Sequence, residues 1–493
     1  MTSRLEHITA QRQEKIERLR AKGINPYPSN FTRSHNSLEA VNQLLTQEND
    51  CSEPAQISVS GRVIALRKMG KINFANLLDG AGKVQLLFKT SSLDEKSAEV
   101  FNELDIGDFI GATGKMFRTR TGEPTLETSQ LELLSKSMEP LPEKWHGLTD
   151  IETRYRQRYL DLISNPDVKN VFTTRSKIIA AIRHYMDSHG FLEVETPVLH
   201  SSAGGALARP FATYHNSLDR ELYLRIALEL PLKRLIVGGF DRVYELGRIF
   251  RNEGISTRHN PEFTMMESYQ AYADYHDVMR MVEELVSSVV KKITGSYKVP
   301  YADTEIDFTP PWRRWDLRQA LKENSGIDFT EHRSKEKLQK VLKEKNIPFD
   351  PMSNWAKMMD TLLGIYVEPL MTQPTFLVDY PIEMSPLAKS RADDESIVER
   401  FEAFTGCMEI ANAFSELNDP LEQEQRFIRQ MEERHGEDEE SAEKIDYDFL
   451  KALSYGMPPT GGLGLGIDRL VMLITNQSSI RDVILFPQLK ERG

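Results

Sequence analysis

The chain has 493 residues, 40% of them hydrophobic and 28% charged, the balance of a protein with two or more domains and ample length for a large core. Its net charge of −12 excludes a generally basic surface, so any nucleic-acid contact has to come from local basic patches. Two cysteines, Cys51 and Cys407, exclude a disulfide framework and a cysteine zinc site, no apolar run approaches the ~20 residues of a membrane span, and the charged N-terminus does not read as a signal peptide, which makes the cytoplasm the expected compartment.

Residues 1–55 read as a helical extension. Between 4 and 23 stand six basic and three acidic residues, with Ile16 and Leu19 at helical spacing, and Gly23 with INPYP ends the helix. It either caps the next domain or also touches an RNA backbone. Residues 56–135 carry five short strand-like runs, ISVSGRVIALR, INFANLLDG, KVQLLFK, DFIGATGKMF and PTLETSQLELLS, with a helical pattern near 94–104. Five strands punctuated this way read as an all-β OB-fold barrel. Such barrels stack single-stranded bases on aromatic side chains beside a positive groove, and Arg67, Lys68 and Lys71 precede Phe74 on what reads as an exposed β-hairpin. Residues 136–150, KSMEPLPEKWHGLTD, form a linker, and 151–493 a second domain.

In RSKIIAAIRHYMDSHG, Ile178, Ile182, Tyr185 and Met186 fall on one helical stripe, and Gly190 suits the helix stop. FLEVETPVL follows as a strand ending near Pro197. The Gly-rich SSAGGALARPF, 201–211, lacks GK[ST] and is not a phosphate-binding P-loop. Glu229 sits amid apolar residues, where a carboxylate needs a partner. VYELGRIF and EFTMMESYQAY read as a long hairpin with a loop near 254–261. Period-2 alternation puts Arg251 and Glu253 on one face, and Phe263, Met265, Glu267 and Tyr269 on one face of the returning strand. Residues 275–370 read as helical and charged. In FEAFTGCMEIANAFSELND, Thr405-Gly406 reads as a two-residue turn, which sets Glu402 opposite Glu409. Like charges there call for neutralisation, for instance by a divalent cation with oxygen ligands. Asn412, Phe414 and Glu416 share a face of the opposite parity to Glu409. If one site uses all four, the strand needs an irregularity near Ile410–Ala411, such as a β-bulge. An acidic stretch, 431–446, reads as exposed. Last, GGLGLGIDRLVMLI lets backbone approach a ligand, with Asp468 suited to a helix start and Arg469 in the first turn.

Arg251–Tyr269, of the form RNEG-IS-x-RHNPEFT-x-x-E-x-Y, resembles motif 2 of the class II aminoacyl-tRNA synthetases. The form is that of the bacterial lysine-specific branch, within the subgroup that also holds the aspartate and asparagine enzymes. The helix, strand and Pro197 around 175–199 resemble motif 1, 461–474 resembles motif 3, and 275–370 resembles the helical insertion between motifs 2 and 3. The resemblance covers nearly the whole chain. It implies an α+β catalytic domain built on an antiparallel sheet with flanking helices, a homodimer through motif 1, and two-step transfer of lysine to tRNA(Lys) through an ATP-derived adenylate. It assigns the α-phosphate and lysine carboxylate to Arg251, with Asn412 helping; adenine to Glu253 and Phe263; and the outer phosphates to Arg258, His259 and Arg469. Arg251 and Arg469 are thus the catalytic pair. It assigns the lysine α-amino group to Gly205 and Glu229, and the ε-ammonium to Glu267, Tyr269 and Glu416, with Phe414 also lining the lysine site. Mg²⁺, more than one ion per subunit, would be held by Glu402 and Glu409, and the anticodon read by Arg67, Phe74 and Gln85. Ala411 and Ala413 stand where some relatives have glycine. Two alternatives are an aspartate or asparagine enzyme, which Glu267 and Glu416 oppose, and an inactive RNA-binding regulator, which the intact Arg251, Glu402, Glu409 and Arg469 oppose.

Overall fold

The computed structural model describes residues 2–142, 148–202, 204–205, 208–434 and 445–490. Most of the acidic stretch 431–446 and part of the linker lie outside them. The chain divides into two compact units, Met1–Gly147 and Leu148–Gly493.

In the first unit α1 (Thr2–Ala21) and α2 (Ser37–Asp50) precede a closed five-stranded barrel. Its strands are β1 (Gln56–Met69), β2 (Ile72–Leu78), β3 (Lys83–Lys89), β4 (Phe109–Arg118) and β5 (Pro124–Ser135), with α3 (Glu95–Asn102) between β3 and β4. This is the expected OB-fold. Inward-facing Val59, Val63, Ala75, Leu77, Leu86 and Leu126 fill it at period 2. α1 is tied to the same unit: Arg12 donates to the carbonyls of Ser137, Glu139 and Ile106, Lys15 pairs with Asp105 at 2.7 Å and Arg18 with Glu103 at 2.9 Å. Much of its basic charge therefore serves as a cap on the barrel.

The second unit opens with α4 (Ile151–Arg156), α5 (Arg158–Ser164) and α6 (Pro166–Ser188). The strand expected at FLEVETPVL is regular only at β6 (Leu192–Glu193), resuming as β7 (Leu199–His200). Glu195, Thr196 and Pro197 leave the ladder because Thr196 turns to the Glu245 carboxylate, donating its N–H at 2.9 Å and its hydroxyl at 2.7 Å. β7 joins β8 (Ala212–His215) and β9 (Arg220–Leu224) in a small sheet, and α7 (Glu229–Val237) follows. β10 (Arg242–Phe250) and β11 (Glu262–Ala271) form the long antiparallel hairpin.

The stretch 275–370 is not uniformly helical. α8 (Tyr275–Thr294) starts on an Asp274–Asp277 capping box and ends at Gly295 with φ +81°. Its Val278, Val282, Leu285, Val286 and Val289 belong to the main core. Then come β12 (Lys298–Tyr301), β13 (Thr304–Asp307) and β14 (Arg313–Asp316), of which β14 joins the main sheet. Helical content returns with α9 (Leu317–Ser325), α10 (Lys335–Glu344) and α11 (Trp355–Tyr366), whose apolar faces build a second core on the outer strands. β15 (Thr375–Pro381), β16 (Ile397–Thr405), β17 (Met408–Ser415) and β18 (Thr460–Gly466) complete the sheet. α12 (Pro420–Arg434) and α13 (Tyr447–Leu453) precede β18, and α14 (Ile467–Ile474) and α15 (Ile480–Val483) close the chain.

The sheet has eight strands in the order β14-β15-β16-β17-β18-β11-β10-β6, antiparallel except at its two edges. α6, α8 and α14 cover one face with apolar side chains. The three central strands β17, β18 and β11 therefore present their other face as the floor of a cavity.

Candidate active site

That cavity measures about 730 Å³ and takes its walls from the β10–β11 hairpin, α7, β17, β18 and the start of α14. At its wide end the loop 254–261 is held by Ser256, whose hydroxyl accepts the N–H of Arg258 and of His259 and meets His259 Nδ1 at 2.9 Å. This brings His259 Nε2 within 3.3 Å of Arg469 Nη2. Partial burial, then the Arg469 charge, push the His259 imidazole below its ordinary value. Arg469 also donates to the Glu409 backbone carbonyl at 2.7 Å and to its carboxylate at 3.1 Å. Arg251 lies 5.3 Å above the Phe263 ring and donates to the Ile226 carbonyl at 3.3 Å. Arg258, Glu253 and Phe263 line the same end. Asp468, expected to start α14, does something else. The helix begins at Ile467 with Gly466 at its N-cap, and the Asp468 carboxylate binds Arg175 of α6 at 2.6 Å and the N–H of Thr264 on β11. This pins the segment carrying Arg469 to both α6 and the hairpin.

The β16–β17 hairpin differs from expectation in register. Gly406 and Cys407, both at φ +59°, make the two-residue turn, so Thr405 pairs with Met408. Phe404 then pairs with Glu409 and Ala403 with Ala411, leaving Ile410 as an extra residue. This is the expected β-bulge, and through it Glu409 and the set Asn412, Phe414, Glu416 all line the cavity. The same bulge sets Glu402 opposite Asn412, not Glu409. Arg400, which the sequence reading passed over, sits beside both. It donates to Asn412 Oδ1 at 3.0 Å, to Ser385 Oγ at 2.6 Å and to Glu402, which also accepts the Tyr380 hydroxyl at 2.9 Å. The only signal for it in the sequence was its same-face spacing, two residues before Glu402.

The closed end is acidic and buried. Glu267 is buried, accepts the Leu228 N–H at 2.9 Å and the Tyr269 hydroxyl at 3.1 Å, and burial pushes its carboxyl up to about 7. Glu416 is buried with neither carboxylate oxygen receiving a directed hydrogen bond. Burial pushes its carboxyl up and the Lys233 ammonium draws it back. Room for that carboxylate exists only because residue 462 is glycine: a Cβ there would fall 1.8 Å from Glu416 Oε1 and 2.8 Å from the Tyr269 ring. Gly205, at φ +90°, lies against Ala227 and Glu229, and its conformation also requires glycine. Glu229, in the first turn of α7, lines the cavity and accepts Lys233 Nζ at 2.5 Å. Lys233 is the second residue the sequence reading missed. One turn beyond Glu229 it reads as part of an amphipathic helix.

On the barrel, Arg67 pairs with Phe74 across β1–β2, and Asn76, two residues on, pairs with Gln85 across β2–β3. Arg67, Phe74, Asn76 and Gln85 therefore share the outer face, where Thr125 donates to Gln85 Oε1 at 3.0 Å. Lys68 has the opposite parity and turns to α3, donating to the Phe101 and Asn102 carbonyls. It is not part of that face.

Comparison with known proteins agrees with this layout. Residues 150–490 match the family described as tRNA synthetases class II (D, K and N), and residues 57–139 the OB-fold nucleic acid binding domain. The chain is 60% identical to the lysine–tRNA ligase of Dehalococcoides mccartyi over 99% of its own length and 98% of the relative's. It is 52% identical to that of Pelotomaculum thermopropionicum over 99% and 96%, and 49% identical to that of Bacillus subtilis over 98% and 97%.

Proposed function

The chain belongs to the lysine–tRNA ligase family of the class II tRNA synthetases, and we propose that its cavity holds lysine at the acidic end and ATP at the cationic end, side by side. Its reaction is ATP-dependent: the lysine carboxylate attacks the α-phosphorus, pyrophosphate leaves, and the adenylate passes lysine to the 3′ end of tRNA. In-line attack by a carboxylate needs positioning and charge neutralisation, and no residue has to abstract a proton. Arg251 would bridge the lysine carboxylate and the α-phosphate, steadied by Asn412, whose carbonyl oxygen Arg400 engages. Phe263 would stack on adenine with Glu253 at its edge, and Arg258, His259 and Arg469 would take the outer phosphates. In meeting them Arg469 would exchange its contact with Glu409.

Glu402 and Glu409 would then hold Mg²⁺. The donor set suits it: both are carboxylates, oxygen ligands of the kind a hard cation takes, and burial and the Glu409 charge push the Glu402 carboxyl up, which a cation between them would relieve. Of the two, Glu409 lines the cavity, while Glu402 lies beside it on Arg400 and Tyr380. No group of three or more His, Cys, Asp or Glu placed to hold a metal occurs among the described residues, which leaves phosphate and water oxygens as the remaining ligands. Bound there, Mg²⁺ would neutralise charge on the triphosphate.

The observation that carries the lysine assignment is the convergence of Glu229, Glu267, Glu416 and the Tyr269 hydroxyl on one closed end. Carboxylates and a phenol match an ammonium donor for acceptor. On the barrel, Phe74 would stack on the central anticodon base, with Arg67 and Gln85 beside it. For assembly, Leu192 is 48% and Leu199 46% exposed around the irregular motif 1 segment, which supports a homodimer through that edge; light scattering tests it. The decisive experiment is ATP–pyrophosphate exchange with each of the twenty amino acids. Lysine alone should support it, and a preference for aspartate or asparagine would refute the reading.

A further inference from the structure

Lys233 has no place in the reaction just described, yet it is the most completely enclosed charge near the cavity. Its side chain is 0% exposed, it does not line the cavity, and it reaches the acidic wall from behind, as the fifth residue of α7, one turn after Glu229. Nζ is 2.5 Å from Glu229 Oε1 and in ion contact with Glu416 Oε2. The Phe414 and Phe449 rings, 5.5 and 5.9 Å away, close the remaining sides. Burial would push this ammonium down, but Glu229 and Glu416 outweigh it and hold it above its ordinary value.

Consider the charges that face one another here. α7 contributes Glu229 and Lys233, β11 contributes Glu267 and the neutral Tyr269, the residue after β17 contributes Glu416, and the hairpin contributes Arg251. Three carboxylates against two cations leave a single negative charge. Free lysine, with two ammoniums and one carboxylate, brings a single positive charge. By formal charge lysine therefore neutralises the pocket, whereas without Lys233 two negative charges would remain and burial would act on Glu416 unopposed by its nearest cation.

We propose that Lys233 is a positioning residue for lysine specificity: by pinning Glu229 and Glu416 from behind, it keeps both carboxyls aimed at the two substrate ammoniums. This rests on the reading that the closed end takes lysine. It adds that the enzyme's own lysine sets the charge that makes the site accept the free one.

The test is the variant Lys233→Met, which keeps the methylenes and removes the charge, followed by pyrophosphate exchange and by lysine-binding calorimetry in two buffers of different ionisation enthalpy. Expected are a rise of about tenfold or more in KM for lysine at pH 7.5, an unchanged KM for ATP, and more protons released on binding lysine than in the wild type. In the wild type, KM for lysine should level off near about pH 8; in Lys233→Met the fall should extend to higher pH, because Glu416 loses the ammonium that draws its carboxyl down. The double variant Lys233→Met/Glu229→Gln, measured against Glu229→Gln, completes a mutant cycle in which removing one acid reduces the harm of losing Lys233. If Lys233→Met alone does not fold, that second pair carries the comparison. A folded Lys233→Met with wild-type KM, pH profile and proton release overturns the proposal, as does a loss in the Glu229→Gln background as large as in the wild type. Where Lys233→Met alone does not fold, equal values within the second pair overturn it, since Glu416 still needs its partner there. A wild-type enzyme inactive with lysine would instead overturn the reading beneath it.

Discussion

The two ends of the cavity solve opposite electrostatic problems by opposite means. At the phosphate end the cations are partly open to solvent, and one of them, Arg469, already rests on a carboxylate that it would release for a ligand. At the lysine end every carboxylate is buried, and the hydrogen bonds that hold Glu267 come from a fixed backbone N–H and a buried tyrosine. A triphosphate carries enough charge to displace such contacts and is common to many enzymes, so its site needs strength more than discrimination. An ammonium on a four-carbon stem is recognised only where desolvation has been completed beforehand, since an unpaired buried carboxylate tolerates little but its intended cation.

The largest effect that follows is on substrate choice. Norleucine has lysine's methylenes without the ammonium, and it should be rejected by about 10⁴ or more, because it strands buried carboxylates. Ornithine, one methylene shorter, should be rejected by less. Exchange with all three amino acids checks this, and equal use of norleucine breaks the contrast between the ends. Next, Glu267→Gln and Glu416→Gln should each lower lysine activation at least about a hundredfold, roughly 2.7 kcal/mol, with KM for ATP little changed. Losing one charge of a buried set costs about 3–5 kcal/mol in comparable cases. A third prediction shows that neither end depends on the barrel: Phe74→Ala should lose a stacking contact of about 1–3 kcal/mol in tRNA charging while pyrophosphate exchange stays intact. Equal loss in both assays would make Phe74 a residue of the fold.

Two smaller effects separate the ends by solution conditions. The Glu267 carboxyl, pushed up to about 7 by burial, would bind lysine in the proposed site as the carboxylate. Affinity should therefore rise about tenfold from about pH 6 to about pH 8 and level off. The ligand-free protein should show the reverse sign. Between the ordinary glutamate range and about pH 7 its native state holds more protons than the unfolded chain, so its stability falls as pH rises through that window, and saturating lysine should cancel the fall. A melting series with and without lysine measures both. The smallest effect concerns salt. Going from about 0.05 M to about 0.5 M should raise KM for ATP severalfold and leave KM for lysine nearly unmoved, since exposed charges are screened and buried ones are not.

How much of this could be read from sequence depended on whether the partners are near along the chain. The motif 2 hairpin was legible because alternation and turn chemistry within one stretch fix which of Arg251, Phe263, Glu267 and Tyr269 share a face. The bulge was legible from a parity conflict between Glu409 and Asn412. The turn beside it was misplaced by one residue, because Cys407 adopts a left-handed conformation that its identity does not announce. That shift removed the expected pairing of Glu402 with Glu409, and with the bulge it set Glu402 opposite Asn412, with Arg400 donating to both. Lys233 was missed for a different reason: its two acidic partners lie 4 and 183 positions away, and only the fold, which brings α7 to the residue after β17, makes one ion cluster of them. Asp468 likewise looked like a cap because Arg175 and Thr264, which it binds, are distant in sequence.

The extra residue at Ile410 makes chain length, and not only chemistry, a condition of activity. Ile410 itself is 1% exposed, and another aliphatic side chain could replace it with little consequence. Its removal is a different matter. A strand without it would pair regularly, and Glu409 or the trio Asn412, Phe414 and Glu416 would swing to the far side of the sheet. Deleting the Ile410 codon would thus separate the carboxylate proposed to face the triphosphate from the groups proposed to face the amino acid, with every one of those residues still encoded. In this hairpin, insertions and deletions should be purged far more strictly than substitutions, and a variant library here should hold its length fixed.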